Sequence, residues 1–244
     1  MLKVSAISYI NTLPFVYGLK KSRLINDIEL QLDYPSICGK KLINEDVQIA
    51  LVPVVVIPEL RSPNIFSKYC IAANGAVGTV CLYSKVPIHK IVRIYLDYQS
   101  LTSVALLKLL LKEYWQVEPE LMKSEIGFEE DIEGTSAALV IGDRAFDLNA
   151  KYDFVYDLSA IWKEMTGFPF VFATWVANRR LSQQFVLDFQ NAMDYGLCNI
   201  QKALFEEGGS FSSDNLLEDY LNNKISYVLD NDKLKGMELF LSKI

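Results

Sequence analysis

Gln48-Ile49-Ala50-Leu51-Val52-Pro53-Val54-Val55-Val56 is the stretch on which the fold turns. The apolar run Ile49 to Pro58 contains two prolines and is about half the roughly 20 residues needed to span a bilayer. With no polar face along it, Gln48–Val56 reads as a strand buried on both sides, the pattern of a parallel sheet covered by helices. Its flanks agree. Upstream, Leu2–Ser8 and Ile28–Tyr34 read as strands, Leu13–Lys21 as a helix beginning near Thr12 with Pro14 in its first turn, and Cys38–Asn44 as a short helix. Downstream, Lys68–Ala73 and Gly78–Ser84 are further strands.

After Lys85-Val86-Pro87 the pattern restarts. Arg93–Asp97 is a strand and Leu101–Trp115 a leucine-rich helix; then come a strand at Glu120–Lys123, an acidic loop at Glu129–Glu133 and the strand Ala137–Ile141. Asp153–Asp157 and Phe170–Ala177 are strands on either side of a helix at Leu158–Thr166. From Ser182 onward only helical periods remain: Gln183–Phe205, a break at Gly208-Gly209, Ser213–Asn222 and Lys233–Leu241. The alternation predicts an α/β protein of two lobes. Lobe 1 takes residues 1–86 and 177–244, with the C-terminal helices packed on it; lobe 2, residues 87–176, is inserted, with crossings near Tyr83–Ile88 and Thr174–Asn178. Such a pair of lobes is expected to enclose a central cleft of strand ends and helix N-termini that suits small polar ligands.

Composition narrows the function. The 244 residues are 51% hydrophobic with a net charge of -6, and no basic run offers itself to nucleic acid or an anionic membrane. Asn11, Thr12 and Pro14 interrupt the apolar N-terminus and no A-x-A-like cleavage site follows, so a signal peptide is not expected and a cytoplasmic protein is. Cys38, Cys70, Cys81 and Cys198 are widely spaced and read as reduced, buried thiols. One histidine, His89, sits in a Pro-Ile-His-Lys loop and reads as a solvated surface residue, and with no second histidine a catalytic metal is not expected. No G-x-S-x-G, Walker lysine or G-x-G-x-x-G motif is present.

Four junctions collect small hydrogen-bonding residues. Ser8-Tyr9-Ile10-Asn11-Thr12 wedges polar side chains between two apolar runs, where Asn11 reads either as a helix cap or as a ligand contact. Asn74-Gly75-Ala76-Val77-Gly78-Thr79 is either a plain turn or a place where backbone N–H groups meet a ligand. Asp97-Tyr98-Gln99-Ser100-Leu101-Thr102-Ser103 precedes the leucine helix; Ser100 caps it, or joins Thr102 and Ser103 in facing an anion. In Ile141-Gly142-Asp143-Arg144, Asp143 pairs with its neighbour, caps a helix or contacts ligand. The aromatic stretch Trp162–Trp175 reads on its own as core and hinge packing, with Phe170 counted among the expected substrate contacts.

In order, SYINTLPF, ALVPV, NGAVGTVCLYS, LDYQSLTSVALLKLLL, ALVIGDRA, YDLSAIW and TGFPFVFATW resemble the MqnA family of menaquinone biosynthesis, the chorismate dehydratases of the futalosine route. The resemblance runs to about Trp175. It implies a type II periplasmic-binding-protein-like fold, chorismate as the small-molecule partner, loss of water to give 3-[(1-carboxyvinyl)oxy]benzoate, and no cofactor; a homodimer is left open. It further implies a substrate-assisted route in which the enolpyruvyl carboxylate takes the ring proton. On that basis Asn11 and Ser8 are the expected catalytic residues, and Thr12, Gly75, Ala76, Val77, Ser100, Thr102, Ser103, Asp143 and Phe170 the expected substrate contacts. Two positions depart from the family pattern. Gly75-Ala76-Val77 stands where Gly-Pro-Val is expected, and Leu101 stands where relatives often carry a larger polar or basic residue, a contact for which Arg144 is one candidate replacement and the replacing group is left open. The alternatives are the sister enzyme, 1,4-dihydroxy-6-naphthoate synthase, and a non-catalytic small-anion-binding protein.

Overall fold

The computed structural model describes residues 1–148, 151–209 and 215–244. The first four strands are β1 (Leu2–Ile7), β2 (Ile28–Asp33), β3 (Ile49–Pro53) and β4 (Asn64–Ala73). Five follow: β5 (Val80–Ser84), β6 (Arg93–Leu96), β7 (Glu120–Lys123), β8 (Ser136–Ile141) and β9 (Phe154–Asp157). The last two are β10 (Phe170–Ala177) and β11 (Ser226–Val228). The helices are α1 (Leu13–Lys21), α2 (Pro35–Ile43), α3 (Thr102–Leu110), α4 (Leu158–Thr166), α5 (Gln183–Cys198), α6 (Ile200–Glu207), α7 (Asn215–Asp219) and α8 (Asn231–Lys243). These elements fall into two compact units, Met1–Ala72 with Val171–Asp230, and Ala73–Phe170 with Asn231–Ile244.

The first unit is built on a six-stranded sheet ordered β11-β4-β10-β3-β1-β2. β1 runs parallel to β2 and β3, with Val4 opposite both Leu30 and Ile49, whereas β10 runs antiparallel to β3, with Thr174 opposite Val52. The sheet is therefore mixed. The decisive apolar stretch is wholly buried along β3, but it is two elements: the strand stops at Pro53 and Val54–Glu59 continues as a 3-10 turn. Val56 in that turn is buried against α2, where a side chain in place of Gly39 would reach Val56 Cγ2 at 2.8 Å. Both elements need apolar residues, so hydrophobicity alone does not mark the boundary.

Helix α1 packs against α5 at backbone distance. A Cβ on Gly18 would stand 1.9 Å from the Ala192 carbonyl oxygen, and one on Gly196 would stand 1.8 Å from that of Pro14. The sheet's core is aromatic: Trp175 lies 6.1 Å from Phe15 and 5.0 Å from Phe189, ring centre to ring centre.

The second unit carries a five-stranded sheet ordered β7-β6-β8-β5-β9. β6 is parallel to β7 and β8; β5 is antiparallel to β8 and β9. Cys81, Tyr83, Phe128, Ile132, Ala138 and Val140 form a buried cluster on it. Helix α8 closes another part of this unit, with the Phe240 ring 5.9 Å from Trp162 and 5.0 Å from Phe170.

Several expectations are corrected here. The unit boundaries fall earlier than 86 and 176, because β5 pairs along its whole length with β8 and β10 pairs with β3 from Ala173. The C-terminal helices do not all join the first unit, since α8 belongs to the second. The tail contains a strand after all, β11, antiparallel to β4. The long helix from Gln183 is interrupted at Asn199, and the start expected at Ser213 lies outside the described residues, with α7 running from Asn215. Three cysteines are buried, but Cys198 is exposed. No described helix is long and apolar enough to cross a membrane.

Candidate functional site

In the first unit the chain passes from β2 across β1 to form β3, so the C-terminal end of β1 is a topological switch point, where open α/β sheets leave room for a ligand. Ser8 occupies that end, exposed, with its N–H donating to the Asp33 carbonyl at 2.9 Å. A 3-10 turn, Ile10–Thr12, then leads into α1. Thr12 is 1% exposed and shares its single hydroxyl proton between the carbonyls of Ile7 at 2.5 Å and Tyr9 at 2.8 Å. That hydroxyl fastens the turn to the strand end, which replaces the expected substrate contact with a structural one.

Asn11 behaves differently. Helix α1 has no side-chain cap, so the capping alternative is removed for Asn11. Its Oδ1 is buried and accepts no hydrogen bond from the described residues, a costly situation for a polar atom in a folded protein. Its backbone carbonyl is held by the buried Tyr227 hydroxyl at 3.0 Å, a contact delivered by β11. The main chain is fixed while the side-chain oxygen stays unused.

In the second unit the strand registers bring three loops to one end of the sheet. β6 and β8 are parallel, Val80 at the start of β5 lies opposite Ile141 at the end of β8, and Cys81 lies opposite Asp157 at the end of β9. Residues 74–79, 97–103 and 141–147 therefore share the edge where β6, β8 and β9 terminate. The Gly142 N–H donates to the Thr79 carbonyl at 2.9 Å, joining two of them.

Two carboxylates, Asp97 buried and Asp157 half-buried, organise this edge. Asp97, 2% exposed, accepts from the Gln99 N–H at 2.9 Å, the Ile141 N–H at 3.0 Å and Arg144 Nη2 at 2.5 Å. Burial raises its carboxyl above the usual carboxylate range although Arg144 and the N–H donors pull the other way. Asp157 accepts from Val77 and Gly78 N–H on Oδ2, at 2.8 and 2.6 Å, and from Ser159 and Ala160 N–H on Oδ1, both at 3.0 Å. Its carboxyl too is raised by burial.

Several expected contacts change role in this setting. Val77 is buried and its N–H is taken by Asp157, so it is not a ligand donor. Gly75, at φ +115°, and Ala76, which is exposed, remain at the open part of the loop. Ser100 realises its capping alternative, accepting from the Ser103 N–H at 3.1 Å. Thr102 and Ser103 begin α3, both buried at the same sheet end, and Leu101 is exposed beside them. Asp143 is half-buried at the start of the 3-10 turn Gly142–Asp147. Arg144 bridges Asp97 and Glu129 and lies 5.4 Å from the Tyr98 ring centre. It braces this unit. Among the described residues no cluster of three His, Cys, Asp or Glu side chains could hold a metal ion.

Over residues 2–244 the sequence matches the model of a family described as menaquinone biosynthesis. The chain belongs to that family. Among curated proteins it is 31% identical to the chorismate dehydratase of Thermus thermophilus over 163 residues, 59% of each chain. It is 29% identical to the chorismate dehydratase of Campylobacter jejuni over 190 residues, 75% of this chain and 71% of that one. Thus the match spans less than two thirds of the Thermus protein. Among solved structures, an Archaeoglobus fulgidus protein superposes with a TM-score of 0.74 at 17% identity, covering 99% of this chain and 96% of that one. A Candida albicans protein described as exhibiting the generic periplasmic binding protein fold gives 0.60 at 11% identity, covering 99% and 89%. The fold is accordingly periplasmic-binding-protein-like, as the resemblance implied.

One expected contact of this menaquinone biosynthesis family member lies away from the loop ends. Phe170 is 1% exposed, 5.5 Å from Trp162 and 5.0 Å from Phe240, a core residue with no surface for a substrate. Asp97, Asp157 and Tyr227 were not singled out by sequence reasoning. Asp157 alone had a local signal, standing just ahead of a helical period as an N-cap does.

Proposed function

We propose that this chain removes water from chorismate to give 3-[(1-carboxyvinyl)oxy]benzoate. Family membership and the two named dehydratases support the reading, and the observation that carries it is the buried, unpartnered Oδ1 of Asn11 at the end of β1. Such an atom is an acceptor waiting for a donor, and a ring hydroxyl is one.

In this reading one ring C–H and one ring C–OH bond break, the new double bond completes an aromatic ring, and the proton and hydroxide leave as water. Aromatisation supplies much of the driving force, so the protein's task is orientation. The sole histidine, His89, is exposed on the 3-10 turn Ile88–Lys90, and the substrate's own enolpyruvyl carboxylate is the proposed base. Holding it against the ring can replace several kcal/mol of barrier. Asn11 accepts from the leaving hydroxyl and, through its amide hydrogens, donates to the oxygen as charge develops there; Ser8, exposed just past β1, is the second proposed positioning residue. Within the second unit, the open part of the 74–79 loop, at Gly75 and Ala76, offers backbone groups that suit a carboxylate.

Incubation of the purified protein with chorismate, followed by chromatography, tests this. Accumulation of the dehydrated benzoate is expected. Chorismate that binds but returns unchanged would instead mark a binding protein.

A further inference from the structure

We propose that Asp157 is a positioning residue that moulds the 74–79 loop into its ligand-receiving form by occupying, from behind, the loop's own anion-binding nest. The inference rests on the reading of this loop as part of the substrate site.

Successive backbone N–H groups pointing to one spot make a concave site for an anion. Val77 and Gly78 form such a pair, and Gly78 has φ +77°, a conformation costly for any residue with a Cβ. The anion they hold is internal: both N–H groups converge on Asp157 Oδ2. The other oxygen, Oδ1, receives the first N–H groups of α4. One carboxylate thus joins a loop and a helix about 80 residues apart in sequence, with four backbone N–H donors and the Cys81 thiol on two oxygens. No neutral side chain of this size can do the same. Asparagine offers one acceptor and turns an NH2 toward two N–H groups. Serine caps a helix well but is too short to reach Val77.

With those two donors satisfied from within, the residues left to a ligand are Asn74, Gly75 and Ala76, whose placement depends on the clamp. Losing it should therefore weaken substrate capture more than the chemical step, since every donor to Asp157, the four backbone N–H groups and the Cys81 thiol, belongs to its own unit.

The test uses Asp157→Ser and Asp157→Asn, both of which keep a cap for α4. KM for chorismate is expected to rise about tenfold with kcat within about twofold, and Tm to fall by a few degrees only. Amide exchange of Val77 and Gly78 in the absence of substrate should accelerate, while that of β5 does not. An unchanged KM in a variant whose loop amides exchange faster would overturn the proposal, as would unchanged exchange. A wild-type protein inert toward chorismate would defeat the dehydratase reading, and the exchange rates alone would then decide the clamp. Should either variant fold poorly, Asp157→Glu, which keeps the charge, is expected to restore slow exchange in part; full loss there too overturns the clamp.

Discussion

Asn11 carries an acceptor that the described residues leave unfilled, and an unfilled buried acceptor weakens the fold by about 1 to 3 kcal/mol. Removing it should therefore not destabilise the protein. Asn11→Ala is expected to lower kcat by about tenfold or more while Tm stays level or rises slightly, measured by turnover of chorismate beside thermal unfolding. A large fall in Tm would show that the amide has a structural partner. The sequence made Asn11 legible because a polar side chain among apolar ones demands a reason. It could not separate Asn11 from Thr12, one residue away, whose hydroxyl is spent on Ile7 and Tyr9. Nor could it find Asp97, whose Ile141 partner is 44 residues distant and is a backbone group, invisible to any pattern of side chains. Phe170 failed for another reason: aromatic richness is shared by cores and pockets, and only packing tells them apart.

Among the elements, α4 is bracketed by local chemistry at both ends and is legible to the residue. Helix α4 begins where the Asp157 side chain caps it and ends at Gly167, whose φ of +79° suits the left-handed turn after a helix. β11 escaped because Ser226-Tyr227-Val228 is too short to show a period of two, and its pairing with β4 is long-range. Yet that strand brings Tyr227 to the Asn11 carbonyl, so a miss at the level of elements was also a miss at the site. The α1–α5 crossing yields a sharper expectation. Gly196 has room for no Cβ, since the obstacle is the Pro14 backbone oxygen, which cannot swing aside as a side chain would. Gly196→Ala should cost about 2 to 3 kcal/mol, and lower Tm by roughly 5 to 10 °C. Because Pro14 begins the helix that Asn11 precedes, kcat should fall with it. A variant of unchanged stability would mean that the helices separate freely.

For the molecule as a whole, the alternation of strands and helices pointed to the two-unit plan, but placed the chain's crossings by composition, at Lys85-Val86-Pro87, when the sheet pairings are what assign a strand to a unit. The C-terminal helix shows the consequence. Its period said only that it packs somewhere; the partners are Trp162 and Phe170, contributed by the middle of the chain. Phe240 is fully buried between them, and truncating such a ring costs about 3 to 5 kcal/mol. The loss should be local to the unit that owns the contact. In Phe240→Ala, hydrogen exchange is expected to quicken across α4 and β5 to β9, while β1, β2 and β3 keep their native protection. Equal quickening in both sheets would mean that the last helix supports more than the unit it belongs to, and that the chain unfolds as one body. No quickening at all would mean that α8 is dispensable, and that the aromatic cluster of Trp162 and Phe170 holds without it.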